Sequence, residues 1–289
     1  MLYWLSALSD TISSLAPFRY ITFRTGGAMI TALAFVVLLG PAIVAMVCNT
    51  QRQAVSPAGP IILSALLFAS LLWANPASPY VWIVLAVTLG FGAIGFYGDY
   101  LGAAKQFTVS DKQRIAIAAS IALAACIALV HLGRSSAATS LGFPFGKPVD
   151  LGWFYVPLGA LVIVAGGSIV NLADRLHGAL LGPLLVAMLS FLVIAWVAGN
   201  AVFSEYLEIR HVPGTGELAV LCGAAIGAGL GFLWLNARLA STFAGETASL
   251  ALGGMLGTVA VATKHEVVLV LVCCLFALAG ARPRSTMNG

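Results

Sequence analysis

Ten acidic residues are spread over 289 positions, and three of them, Asp99, Asp174 and Glu246, stand where long apolar runs stop. The stretch Phe91-Gly92-Ala93-Ile94-Gly95-Phe96-Tyr97-Gly98-Asp99-Tyr100-Leu101 closes one such run on a carboxylate. In a chain only 8% charged, a carboxylate at the mouth of a membrane helix marks either a topological boundary or a site. The chemistry open to it is that of a ligand waiting for a metal ion. Three more polar patches sit at the ends of apolar runs: Asn171 to Gly178, Asn236 to Ser249, and the basic turn around Lys112. If alternate helix ends meet on one membrane face, all three converge with Asp99.

The elements that would bring them together follow from hydropathy. The chain is 61% hydrophobic, its mean hydropathy is +1.02, and its apolar runs recur at about the 20-residue length that crosses a hydrocarbon core. A soluble domain would carry about a quarter charged residues, and barrel strands would alternate apolar and polar positions. The fold class expected is therefore an all-α polytopic membrane protein. Nine spans are expected, at Thr25 to Val47, Ala58 to Trp73, Tyr80 to Tyr97, a fourth opened by the capping box Ser110-Asp111-Lys112-Gln113, Trp153 to Val170, Ala179 to Ala198, Glu217 to Trp234, Ser249 to Thr263, and Glu266 to Ala281. Asp111, in the first turn of its helix, reads as a partner of the helix dipole. Residues 1–289 are expected to form one transmembrane domain, with 1–20 as an interfacial segment, 282–289 as a short cytoplasmic tail, and a short interfacial helix between Asn200 and Gly216. With the N-terminus outside and the C-terminus in the cytoplasm, eight basic residues fall inside and six outside, the sense of the positive-inside bias.

Several functional classes are set aside. The net charge of +4 comes from scattered Lys and Arg rather than a basic cluster, which argues against nucleic acid and leaves the lipid bilayer as the environment. The five cysteines lack metal-ligand spacing and read as small packing residues. The spans carry no ionisable groups near the midplane, so a transporter is not expected. Gly223, Gly227 and Gly231 form a ladder along one face of the seventh span, and Gly253 and Gly257 repeat the spacing in the eighth. Small residues at this interval let helix backbones approach closely in lipid.

Longer strings carry a resemblance. FRYITFRTGGAMITAL, PYVWIVLAVTLGFGAIGF before Asp99, DLGWFYVPLGALVIV in the fifth span, AGNAVFSEYLEIRHVPGTGELAVLCGAAIGAGLGFLWLNA, and FAGETASLALGGMLGTVAV around Glu246 resemble, in this order, the bacterial phospho-N-acetylmuramoyl-pentapeptide translocase (MraY) family. That family lies in the polyprenyl-phosphate N-acetylhexosamine-1-phosphate transferase superfamily. The resemblance implies a bundle of transmembrane helices in the bacterial inner membrane. It also implies transfer of phospho-MurNAc-pentapeptide from a UDP carrier to undecaprenyl phosphate on the cytoplasmic face, with Mg²⁺. By position it makes Asp99 and Glu246 the catalytic and metal-binding residues, and Asn171, Asp174 and Phe243, the last a uracil-stacking position, the substrate-binding ones.

The same family pattern is departed from at several positions. Gly98 stands where the family has the first aspartate of an adjacent pair, Glu246 where it has an aspartate, His177 where it has the second aspartate of N-L-T-D-G-L-D-G, Gly102 where it has lysine, and Ser168 where it has asparagine. Arg175 stands at a family glycine, and one reading, not the favoured one, has its guanidinium fill the emptied nucleotide pocket. The first cytoplasmic loop is shortened to Gln53-Ala54-Val55-Ser56-Pro57, and the family's histidine triplet and tenth span have no counterpart in this sequence. These losses imply a catalytically inactive member, kept as a scaffold, an assembly factor, or a subunit of a membrane complex or homodimer. The alternative is an active Mg²⁺-dependent transferase joining a UDP-linked sugar phosphate to a polyprenyl phosphate.

Overall fold

A computed structural model describes residues 17–50, 57–104, 111–133, 139–142, 149–177, 181–239 and 245–281. The interfacial segment 1–20 and the tail 282–289 fall largely or wholly outside those residues, as does Phe243. The helices are α1 (Ile21–Thr50), α2 (Ala58–Trp73), α3 (Pro79–Ala104), α4 (Asp111–Leu132), α5 (Tyr155–His177), α6 (Leu181–Ala198), the short α7 (Ala201–Tyr206), α8 (Glu217–Leu239), α9 (Gly245–Thr263) and α10 (Glu266–Ala281). Seven of these are long and apolar enough to cross a membrane, and α2 is a shorter apolar helix. The protein is an all-α polytopic membrane protein. Its only strands among the described residues are β1 (Ser140–Leu141) and β2 (Val149–Asp150), paired antiparallel with Ser140 opposite Asp150. Asn200 starts α7 by accepting the amides of Val202 and Phe203, so the aromatic segment after α6 does turn helical.

Three helices run further than hydropathy suggests. α3 continues to Ala104, so Asp99 lies within a helix and not at its mouth. α5 continues to His177, so Asn171, Asp174 and Arg175 form its last two turns instead of a polar turn. α9 starts at Gly245, four residues before the expected Ser249. The side chains of Asp99, Asn171 and Arg175 in these extensions meet the start of α9 rather than lipid.

The bundle is organised around α9, whose residues from Thr247 through Thr263 are all buried. Its most extensive contacts are with α3 and α5, while α1 packs chiefly against α8. Glycines set these approaches. A Cβ on Gly227 would come 2.0 Å from the Met29 carbonyl oxygen, and one on Gly223 would come 2.9 Å from that of Thr25, so the ladder in α8 seats α1. On α9, a Cβ on Gly253 would meet the Gly166 carbonyl oxygen at 2.7 Å, and one on Gly257 the Ile163 Cα at 2.8 Å, which seats α5. The glycine spacing thus gives the close backbone packing expected of it. Cys126, Cys222 and Cys273 are buried free thiols, and Cys274 is an exposed one.

The end of the bundle at the α9–α10 connection carries its own ionisable cluster. Lys264 holds a left-handed backbone (φ 62°) between α9 and α10, and its ammonium lies 3.6 Å from the centre of the Tyr155 ring. The Tyr155 hydroxyl donates to Glu266. Burial pulls the Lys264 ammonium down to about 8, against the opposing pull of Glu266. The fold therefore favours the neutral amine. Stability contributed here rises as pH climbs from about 8 to 10.5 and is lost as pH falls back through that window. An NMR titration of ¹³C-methylated lysines should show one midpoint near 8; a value near 10.5 for Lys264 would mean that its amine is hydrated.

Candidate functional site

Four helix ends meet where the polar patches were expected to converge: the last turns of α3 and α5 and the first turns of α4 and α9. Asp99 reaches from α3 to the start of α9. Its Oδ1 accepts the Glu246 amide at 3.2 Å; its Oδ2 accepts the Thr247 amide at 3.0 Å and the Thr247 hydroxyl at 2.6 Å. The first amides of a helix lack intrahelical partners, and that end carries partial positive charge. Asp99 therefore acts as a cap for α9 supplied by another helix. The close approach depends on Gly95, where a Cβ would lie 2.6 Å from both the Glu246 carbonyl oxygen and the Thr247 Cα.

Glu246 points the other way. Its carboxylate forms ion pairs with Arg114 from α4 and with Arg175 from α5, the latter at 2.9 Å, and Asn171 donates to it at 3.4 Å. Asn171 is fixed in turn by Ser249, whose hydroxyl donates to its Oδ1 at 3.0 Å. Asn171 and Arg175 lie four residues apart on α5 and so share a helix face. A cleft of about 330 Å³ opens over these groups, walled by Phe91, Ile94, Ile115, Ala118, Leu172 and Leu250, with Ser168, Arg114, Asn171, Arg175 and Glu246 as its polar lining.

The candidates named from sequence thus separate. Glu246 and Asn171 line the cleft with Arg175. Asp99 lies behind the start of α9 and is not among the lining residues. Asp174 is buried, 8% exposed, and lines a separate small void with Val170, Leu181, Leu184 and Ser249. Phe243 lies outside the described residues, and so does the side chain of His177.

Arg114 joins the site without having been singled out by sequence. A signal for it exists: a cation in the first turn of α4 faces the unfavourable end of the helix dipole, so it calls for a carboxylate partner. Arg114 also explains the room at Gly98. A Cβ there would lie 2.7 Å from the Arg114 Nη2 and 2.7 Å from the Glu246 Oε2. The guanidinium occupies the space that a side chain at position 98 would need.

The donor set does not fit the Mg²⁺ that the resemblance implies. Magnesium takes oxygen ligands from one or two carboxylates together with substrate phosphates. Here both Asp99 oxygens accept from the start of α9, both Glu246 oxygens face guanidinium groups, Asp174 lines a separate small void, and position 98 offers no carboxylate. Among the described residues no three His, Cys, Asp or Glu side chains group in a way that could hold a metal.

The model of glycosyl transferase family 4 matches residues 81–264, well over half the chain. The sequence is 52% identical to a phospho-N-acetylmuramoyl-pentapeptide-transferase of Rhodopseudomonas palustris (strain BisB18), in an alignment spanning 96% of this chain and 83% of that protein. It is 51% identical, over the same shares, to the protein of the same name from R. palustris (strain BisA53).

Proposed function

The chain belongs to glycosyl transferase family 4, within its phospho-N-acetylmuramoyl-pentapeptide translocase branch, and from that premise we propose that it is a membrane phosphotransferase moving a sugar phosphate from a uridine diphosphate carrier to a polyprenyl phosphate. The observation that carries this reading is the cleft: two arginines over an apolar wall at the junction of four helix ends. In the reaction an oxygen of the lipid phosphate bonds to the β-phosphorus as that phosphorus loses its bond to uridine monophosphate, which leaves with the bonding electrons. Negative charge spreads over the phosphoryl oxygens during the exchange, and fixed donors aimed at those oxygens lower its energy. Arg114 and Arg175 supply such donors, Asn171 and Glu246 orient them, and the wall of Phe91, Ile94, Ile115 and Leu250 excludes water beside the prenyl chain. In this proposal the cleft opens to the cytoplasm from the inner membrane of a bacterium, with the N-terminus outside.

The vacant carboxylate positions favour the inactive member expected from sequence, whereas relatives bearing the transferase name at 52% and 51% identity favour turnover. The second reading keeps the fold and the cleft without turnover, as a scaffold, an assembly factor, or a subunit of a membrane complex or homodimer. Its support is that Asp99 is consumed as a helix cap.

The test is a transferase assay on the purified full chain in mild detergent, with UDP-MurNAc-pentapeptide and undecaprenyl phosphate, run both with Mg²⁺ and with EDTA. Lipid-linked product is expected from the wild type. Asp99→Ala should also lose about 1 kcal/mol of stability as a lost cap, and its turnover should fall by about 100-fold as the start of α9 shifts. Absence of product from folded protein under every condition would reject the transferase and leave the non-catalytic reading.

A further inference from the structure

We infer that the guanidinium pair of Arg114 and Arg175 stands in for the divalent cation, so that the cleft takes a phosphate-bearing ligand without metal. The inference rests on the phosphate-handling reading of the cleft but not on turnover. Three observations carry it. The Arg114 guanidinium lies in the space beside Gly98 where the first atoms of a further carboxylate side chain would stand, so a positive group takes the place of that carboxylate. Both guanidinium groups meet on one carboxylate, Glu246, whose side chain is 10% exposed, whereas that of Arg175 is 58% exposed and so open to a ligand. Asp99 is held by the α9 amides and the Thr247 hydroxyl and Asp174 lines a separate void, so Glu246 is the carboxylate that draws the two guanidinium groups together.

Glu246 is the carboxylate that directly contacts both guanidinium groups, and Asp99 and Asp174 are the further acidic groups of this junction. An arriving phosphate would compete with Glu246 for the guanidinium donors. Guanidinium groups present paired N–H donors that match two phosphate oxygens at once, a geometry that a lysine or a hydrated cation does not reproduce. Glu246 then has a defined part. In the empty cleft it holds the two guanidinium groups close to each other, and an incoming phosphate competes with it for their donors. The ligand class is a phosphate monoester or diphosphate, and two sources fit the chemistry: the nucleotide carrier and the lipid phosphate.

The experiment measures binding, not turnover, on the full chain in detergent by calorimetry, using uridine diphosphate in one arm and farnesyl phosphate in the other, each in EDTA and in Mg²⁺. At least one probe is expected to bind in EDTA, with a Kd that Mg²⁺ changes by less than about threefold, and the arm that binds identifies the source. Arg114→Gln should weaken that binding by at least about tenfold, the scale of one lost charge-assisted hydrogen bond. Glu246→Gln should strengthen it by freeing the guanidinium groups. Because Arg114→Gln leaves Glu246 with only one cation, its melting profile is recorded alongside; Glu246→Gln supplies a second readout of opposite sign, which misfolding would not produce.

The inference is overturned if Mg²⁺ tightens binding by about tenfold or more, if Glu246→Gln weakens binding in EDTA, or if neither probe binds the folded chain. Turnover together with Mg²⁺-dependent binding would reject this inference and keep the transferase. Binding in EDTA without turnover would do the reverse.

Discussion

Gly227→Ala should largely prevent α1 from seating on α8. The added methyl carbon would sit 2.0 Å from the Met29 carbonyl oxygen and 2.8 Å from its carbon, and backbone on both sides leaves no side chain to turn away. Overpacking typically costs about 1–3 kcal/mol when side chains can adjust; with none to adjust, a loss at or above about 3 kcal/mol is expected. Gly229, two residues on, is the internal control. A methyl there meets only the far end of the Leu185 side chain, at 2.5 Å, which can rotate aside. Thermal melts in mild detergent should show Gly227→Ala far below wild type and Gly229→Ala close to it. Equal melts would mean that α8 does not hold α1 through this ladder.

The second large effect is expected at the start of α1. Arg24 is 3% exposed, and it grips Glu217 on α8 with both terminal nitrogens, at 2.9 and 2.6 Å. Glu217 also accepts the Asn75 amide at 3.2 Å, and Arg24 reaches the Trp73 carbonyl at 3.5 Å, so one ion pair ties α1, α8 and the α2–α3 turn together. Breaking a buried pair from one side strands the other charge, at about 3–5 kcal/mol. Replacing both partners with apolar residues of similar volume is often neutral. Arg24→Met alone should therefore unfold the chain at markedly lower denaturant or temperature, and Arg24→Met with Glu217→Leu should recover most of the loss. A double variant no better than the single one would show that the pair's contacts to Trp73 and Asn75 matter more than its charges.

Much of this organisation is legible in the order of the amino acids. Hydropathy gives the membrane class, and the glycine spacing gives the close helix contacts. The rule that alternate helix ends share a face correctly brings Asp99, Asn171, Glu246 and the start of α4 together. What hydropathy does not show is where helices stop. Asn171 through His177 reads as a turn because its polar residues end an apolar run, yet they remain helical since Glu246 and Ser249 satisfy Asn171 inside the bundle. Gly245, with a backbone φ of 79°, sets the turn into α9 four residues earlier than the apolar pattern. The division of labour between the carboxylates is also out of reach, since composition does not tell whether Asp99 faces a cleft or the amides of another helix. Arg114 is easily passed over for the opposite reason: a cation at a membrane boundary is already explained by topology, and its ion pair with Glu246 and the space it fills at Gly98 give it a chemical role.

That space also governs which routes lead back to the family's carboxylate pair. Gly98→Asp would bring its first side-chain carbon to 2.7 Å from both the Arg114 guanidinium and the Glu246 carboxylate, so the ends of those two side chains would have to give way. A side chain at 98 is accommodated either by moving those flexible ends aside or by a shorter residue at position 114. The two sites are therefore coupled, and a library that randomises both at once should recover carboxylates at 98 more often beside small residues at 114 than beside bulky ones. What stands at position 98 thus sets how closely Arg114 and Glu246 can meet.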